Sequence, residues 1–139
     1  MENFSENNEI GKSGFSFKKV ERLCSKKLID KLFTDGDSFL VFPLKIVFLE
    51  TSFPLKSPIQ AAFSVGKRNF KLAVHRNRIK RKMREAYRLN KHSLYDEIGE
   101  KKLIVFFLFI GKVIPEYKLI ETAMKKGIKR LKKEIISDH

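Results

Sequence analysis

The chain has 139 residues, which suits one domain, and its 30 Lys and Arg residues oppose 16 Asp and Glu residues to give a net charge of +14. Hydrophobic residues make up 42% of the chain, which argues against disorder, and the single cysteine, Cys24, excludes an intramolecular disulfide and a cysteine zinc cluster. Self-repulsion destabilises a compact domain of such charge, which indicates a polyanionic partner: nucleic acid or an anionic membrane surface.

Residues 1–13 are polar and uneven in composition, so we predict a disordered tail there, followed by one domain at residues 14–136. Residues 1–8 are polar and acidic, so no signal peptide is expected. The longest apolar run, residues 103–110, is far shorter than the ~20 residues of a spanning helix. We therefore expect a soluble, cytoplasmic protein.

The first half of the domain predicts one helix and two strands. Ser25 is a good N-cap, and Gly36 ends the helix after apolar residues at helical spacing. Residues 39–51 predict a strand in which Pro43 belongs at a start, a bulge or an edge. Residues 59–65 predict a second strand, the hairpin partner of the first.

The second half predicts a long helix, a central strand and a final helix. Residues 72–91 lack Gly and Pro, and residues 102–110 are apolar on both faces. Residues 116–133 carry an apolar stripe at helical spacing. The order α-β-β-α-β-α predicts an α+β fold, with a three- or four-stranded sheet covered by helices.

The helix at residues 72–91 combines a narrow apolar seam with a dense cationic face. On a helical wheel the seam holds Ile79, Met83, Ala86, Tyr87 and Asn90. The next arc holds Arg76, Asn77, Lys80, Arg81, Arg84 and Arg88, and Arg78 and Lys82 lie on the far side with Glu85. Only Glu85 offers intrahelical pairing, so a phosphate array would relieve the repulsion between these cations. Arginine forks also suit bidentate phosphate contacts.

Three interpretations of this pattern place different surroundings next to the cations. The basic face could be exposed to solvent, could lie on a membrane, or could bind RNA or DNA. The seam lacks the wide apolar wedge of an interfacial helix, which disfavours the membrane. No helix precedes the basic helix at the short spacing of a helix-turn-helix motif, which disfavours that class of DNA reader. Nucleic-acid binding is the interpretation that the pattern favours.

A longer motif makes the sequence resemble a known family. The run Ser64-Val65-Gly66-Lys67-Arg68 is followed by Ala73-Val74, by Arg76-Asn77-Arg78-Ile79-Lys80-Arg81 and by Arg84-Glu85. This pattern resembles the signature of the ribonuclease P protein family, and the resemblance extends over residues 22–133. It implies a compact fold like that of ribosomal protein S5, with a left-handed β-α-β crossover.

The resemblance also implies partners and site residues. The basic turn and helix would bind the catalytic RNA of ribonuclease P, an Mg²⁺-dependent ribonucleoprotein in which the RNA holds most of the metal. A cleft between the first helix and the sheet would bind the 5′ leader of precursor tRNA, with Phe33 and Ile29 in the cleft. Plain core packing is the alternative for Phe33. The RNA-binding residues would be Lys67, Arg68, Arg76, Asn77, Arg78, Lys80, Arg81 and Arg84, to which the wheel adds Arg88.

No set of residues in the sequence predicts catalysis or a metal site in the protein itself. Asp96, Glu97 and Glu100 are clustered, but we interpret them as part of a solvated polar loop. We expect an endoribonuclease whose catalyst is the RNA, with no small-molecule substrate and no membrane partner. A ribosomal or RNA-chaperone protein and a stand-alone protein nuclease are the alternatives.

Overall fold

The computed structural model describes residues 16–137, and for residues 136–137 it describes the backbone alone. The predicted disordered tail at residues 1–13 and the predicted domain start at residue 14 lie outside this range. Close to its beginning, Phe17 packs edge-on against Phe63 and Tyr87, with ring centroids 5.6 and 5.7 Å apart. The segment ahead of the first helix is therefore fastened to the core.

The first helix, α1, spans Lys26–Asp35 and has the predicted ends. The Ser25 side chain accepts a hydrogen bond from the backbone amide of Leu28 at 3.2 Å, as an N-cap does. At the other end, a Cβ atom on Gly36 would lie 2.4 Å from the carbonyl oxygen of Leu32 and 2.8 Å from that of Phe48. Glycine therefore allows the end of α1 to approach the sheet closely.

The predicted strand at residues 39–51 is wrong as a single element. It forms two antiparallel strands, β1 (Asp37–Val41) and β2 (Leu44–Thr51), joined by a turn at residues 42–43. Pro43 lies in this turn because it has no amide hydrogen to donate to a sheet. Its carbonyl instead accepts a hydrogen bond from the amide of Ile110 at 2.9 Å.

The sheet has four strands in the order β1-β2-β4-β3. Strand β3 spans Ile59–Val65 and β4 spans Lys102–Phe109. The prediction that β3 is the hairpin partner of the preceding strand is wrong, because β4 lies between them, antiparallel to β2 and parallel to β3. The central place of β4 is confirmed. The parallel pair makes a β-α-β crossover, whose left hand stays a prediction.

Three helices follow β3, one more than the sequence predicted. They are α2 (Ala73–Asn90), α3 (His92–Ile98) and α4 (Tyr117–Ser137). Helix α3 was missed because seven residues are too few to show a helical period. It places Asp96 and Glu97 on a helix, so the predicted loop is wrong for these two residues. The α+β fold with helices packed on a sheet is confirmed.

The two faces of the sheet carry cores of unequal size. The larger core joins one face to α2, α3 and α4, whereas the smaller core lies under α1 and contains Leu28, Leu32, Val47 and Ile104. Helix α4 approaches β2 so closely that a Cβ atom on Gly127 would lie 2.4 Å from the Cδ1 atom of Ile46. Helices α2, α3 and α4 cover one face of the sheet and α1 covers the other, so the face around α1 is less covered.

Candidate nucleic-acid interface

Helix α2 buries the predicted seam. Ile79, Met83, Ala86 and Tyr87 have no exposed surface, and all four belong to the larger core. Asn90 is half-buried, and its Nδ2 atom donates to the carbonyl of Ala86 at 2.8 Å. Burial of this seam fixes the rotation of α2, and so fixes which side chains it presents to solvent.

The opposite side of α2 presents most of the predicted cations. Asn77, Arg78, Arg81 and Arg84 are exposed, and Lys80 is half-buried. Within residues 16–137, no carboxylate lies within ion-pair distance of Arg78, Lys80, Arg81 or Arg84. From here on, the cationic face means Asn77, Arg78, Lys80, Arg81 and Arg84. Its charges repel one another, so bound phosphate groups would stabilise it.

Arg88 differs from the cationic face because Glu85 neutralises it. Its Nη2 atom lies 2.6 Å from Oε2 of Glu85, and its Nε atom donates to Oε1 at 3.1 Å. Hydrogen bonding to Arg88 lowers the pKa of Glu85, and the same contact raises the pKa of Arg88. A phosphate would have to compete with this carboxylate.

Arg76 is half-buried like Lys80, but its guanidinium is bound to backbone carbonyls. Its Nη1 atom donates to the carbonyl of Phe70 at 2.7 Å and to that of Lys71 at 2.9 Å. These bonds fasten the turn between β3 and α2 to the first helical residues. A helical wheel could not predict them, because both acceptors belong to backbone outside the helix.

The turn fastened by Arg76 carries the other predicted cations. Lys67 and Arg68 are exposed, while Phe70 is buried against the ring of Phe109, with centroids 5.9 Å apart. The buried aromatic ring anchors the turn and leaves both cations in solvent next to the start of α2. The turn and the cationic face therefore form one positively charged surface.

Phe33 extends from α1 over the less covered face of the sheet. Its side chain is 52% exposed, and its ring meets the ring of Phe106 edge to face with centroids 4.9 Å apart. The alternative of plain core packing is therefore wrong for Phe33. Ile29 is half-buried and packs on the smaller core, so it forms part of the wall beneath.

Phe106 is a cleft residue that sequence reasoning missed. It was interpreted only as part of an apolar central strand, yet it is half-buried and its ring contacts the ring of Phe33. Side chains alternate between the faces of a strand, so Phe106 and Leu108 share the side of Ile104, which packs under α1. That alternation is the signal that could have identified Phe106, once the position of α1 was known.

A shallow cavity of about 280 Å³ connects the cationic face to the edge of the sheet. Arg84 lies at one side of it, with Ala62 of β3 and Arg22 among the other lining residues. Ala62 also packs against the smaller core under α1. The cationic face and the cleft of Phe33 therefore adjoin the same edge strand.

Glu97 and Glu100 line one cavity with Glu50 in the part of the chain that the structure describes. No group of three His, Cys, Asp or Glu side chains there is placed to hold a metal ion. Between residues 16 and 137, no helix combines the length and the apolar character needed to cross a membrane.

Comparisons with known proteins match most of the chain to one family. The family model described as Ribonuclease P matches residues 17–132. The chain is 37% identical over 119 residues to the ribonuclease P protein component of Porphyromonas gingivalis, covering 84% of this chain and 87% of that protein. It is 35% identical over 123 residues to the protein of that name from Chlorobium phaeobacteroides, covering 80% and 84%.

Two solved structures have a similar fold. The ribonuclease P protein of Staphylococcus aureus aligns with a TM-score of 0.63 at 20% identity, covering 81% of this chain and 96% of that one. The protein of Thermotoga maritima aligns with a TM-score of 0.62 at 21% identity, covering 79% and 96%.

Proposed function

This chain belongs to the ribonuclease P protein family, and we propose that it is the protein subunit of a ribonucleoprotein that removes 5′ leaders from precursor tRNA. Membership implies a ribonuclease role as part of ribonuclease P. Two features support these proposed roles: a cationic face that has no carboxylate partner among residues 16–137, and a cleft that contains a half-exposed aromatic ring.

The cationic face and the basic turn bind the catalytic RNA in this proposal. Arginine forks make charge-assisted, bidentate contacts with phosphate oxygens. The exposed amide of Asn77 can donate and accept at once, which suits a 2′-hydroxyl or a base edge. Arg76 contributes by holding the turn in place, because its guanidinium already donates to two carbonyls.

The cleft beside α1 binds the single-stranded leader in this proposal. A base can stack on the exposed surface of Phe33, and such stacking tolerates any sequence because every base has a π-face. Phe106 supports the ring from below and Ile29 closes the wall. The protein thus increases the affinity for substrates that carry a leader.

The catalyst in this proposal is the RNA, and the protein alone is inactive. Hydrolysis of a phosphodiester commonly uses Mg²⁺ ions to activate water and to stabilise charge on both oxygens. The described residues supply no three-ligand set for such an ion, so we assign the Mg²⁺ mainly to the RNA. The protein lowers the Mg²⁺ requirement by neutralising phosphate repulsion. We place this activity in the cytoplasm, with precursor tRNA as the substrate.

Reconstitution tests the proposal directly. Purified protein is added to the ribonuclease P RNA of Porphyromonas gingivalis, and precursor-tRNA cleavage is followed at low Mg²⁺. Stimulation of cleavage at the mature 5′ end is the expected result. Absence of stimulation, with binding to ribosomal RNA instead, would support a ribosomal or chaperone role. Metal-dependent cleavage by RNA-free protein would identify a protein nuclease.

A further inference from the structure

One cavity lies between α2 and α4 and a second lies between α4 and the junction of α2 with α3, and together we call them the interhelix groove. One has a volume of about 340 Å³ and is lined by Arg78, Arg81, Lys82, Glu85 and Tyr117. The other, of about 260 Å³, lies further along both helices and is lined by Asn90, Ser93, Lys125, Ile128, Lys129 and Lys132. From Tyr117 to Lys132 the axis of α4 rises by roughly 22 Å, which is long enough for several nucleotides.

Three lysines of α4 line the far cavity. Lys125, Lys129 and Lys132 are spaced so that they share one flank of α4. None of them has an ion-pair partner among residues 16–137. Elsewhere on the same helix Arg130 does have one, since its Nε atom lies 3.8 Å from Oε2 of Glu134. The charge of these three lysines is therefore available to an external anion.

The other wall of the far cavity offers hydrogen-bonding groups of a different kind. The Nδ2 atom of Asn90 donates to the carbonyl of Ala86, so its Oδ1 atom is the one left to accept a bond. Ser93 adds a hydroxyl, which can donate or accept. Lysine ammonium groups suit phosphate oxygens, whereas an acceptor suits the 2′-hydroxyl that distinguishes RNA from DNA.

We propose that the interhelix groove binds the sugar–phosphate backbone of the catalytic RNA, as an extension of the contact made by the cationic face. The inference rests on the proposed function, since it takes its partner from there. Continuity supports that choice, because Arg78 and Arg81 belong both to the cationic face and to the near cavity. In this proposal an RNA strand lying on α2 continues from these arginines, past Glu85 whose charge is neutralised by Arg88, to the lysines of α4.

The test compares two triple variants of the full chain. The groove variant is K125Q/K129Q/K132Q, and the control is K112Q/K126Q/K133Q, which removes the same charge from three exposed lysines that do not line the groove. Affinity for the ribonuclease P RNA of Porphyromonas gingivalis is measured between about 0.1 and 1 M salt. Each phosphate contact contributes roughly 0.7–0.9 to the slope of log K against log salt.

In the groove variant the slope should be shallower by roughly 2–3, so its affinity should be about 100- to 1,000-fold weaker at 0.1 M salt and nearly unchanged at 1 M. The slope for the control should become shallower by less than about 1. The variant K125R/K129R/K132R should retain wild-type affinity, because it keeps the charges. Circular dichroism checks that all variants fold.

Equal losses in the groove variant and the control would overturn the inference, since general charge would then explain both. So would a groove variant that binds as tightly as the wild type while Arg84→Gln still weakens binding. That second outcome would leave the proposed function intact. Failure of the wild-type protein to bind the catalytic RNA would instead refute the proposed function, and this inference with it.

Discussion

The ring of Phe33 meets the ring of Phe106 edge to face, with centroids 4.9 Å apart and an interplanar angle of 67°. The contact joins α1 to the central strand, yet Phe33 stays 52% exposed. An aromatic pair of this geometry holds the ring in place, and the outer surface of Phe33 remains accessible. A fixed, accessible ring is what a stacking base requires.

Replacing Phe33 by Ala should therefore weaken binding of substrates with a long leader by about 1–3 kcal/mol, the value of one stacked base. Substrates with a one-nucleotide leader should be affected less. The cost in stability should be below the ~3–5 kcal/mol of emptying a buried Phe site. Affinities of the reconstituted holoenzyme for the two substrates provide the measurement.

Phe42→Ala is the matched control, because Phe42 is 69% exposed in the turn at the far end of β1 from α1. It should leave both substrates unaffected. Equal losses for long and short leaders in Phe33→Ala would contradict the assignment of the cleft.

Binding of the catalytic RNA should depend steeply on salt. If about five to eight phosphates are neutralised, log K should fall against log salt with a slope of roughly −4 to −6. A titration of labelled catalytic RNA at four or more salt concentrations measures the slope. A flat response would refute the role of the cationic face.

Changes of individual arginines on α2 should separate binding from stability. Arg81→Ala and Arg84→Ala remove exposed cations, so stability should change by no more than ~0.5 kcal/mol. Loss of a charge-assisted phosphate contact should weaken RNA binding by about 1–3 kcal/mol. Urea unfolding and RNA titration of the same variants give both quantities.

Arg76→Ala should behave differently from these two variants. It leaves the carbonyls of Phe70 and Lys71 without their donor, so stability should fall by about 1–2 kcal/mol. RNA binding should fall as well, since the turn with Lys67 and Arg68 loses its attachment. An Arg76 variant as stable as Arg84→Ala would contradict this structural role.

A buried ion pair should make stability sensitive to acid. The ammonium of Lys91 donates to the carboxylate of Glu21, 70 positions earlier. Burial opposes ionisation of Glu21, but hydrogen bonds from Lys91, the Lys18 amide and Tyr95 outweigh it, so its pKa lies below the ordinary value of 4.5. The stabilisation is complete above that value and is lost as pH falls through the lower pKa of the folded state.

Urea midpoints between about pH 6 and pH 2 should therefore decline more steeply for the wild type than for Glu21→Gln. Lys91→Met leaves a buried carboxylate without its cation and should cost about 3–5 kcal/mol at neutral pH. Parallel pH profiles for wild type and Glu21→Gln would show that Glu21 does not carry the effect.

Replacing Asp96, Glu97 and Glu100 together by Ala should leave the cleavage step of the holoenzyme within a few-fold of wild type, because the RNA carries the chemistry in our proposal. Single-turnover cleavage at saturating protein measures that step. Cleavage of the leader by RNA-free protein, abolished by this triple change, would overturn the proposal.

Local features of this fold could be predicted from the sequence. The prediction of a helix over residues 72–91 is confirmed within one residue at each end, and its buried seam is confirmed. Ser25 and Gly36 begin and end α1 as predicted. Helical periodicity and capping depend on neighbours a few residues apart, so a short stretch of sequence contains the information.

Only the tertiary structure decided which distant segments meet. Strands β2 and β4 are apolar enough to accept several partners, so their composition could not specify that β4 separates β3 from β2. The contact of Phe33 with Phe106 joins α1 to the central strand, and the pairing of Glu21 with Lys91 joins residues 70 positions apart. The sequence determined which side chains could bind RNA, and tertiary packing determined that the cationic face and the cleft of Phe33 adjoin the same edge strand, because packing joins residues remote in the chain.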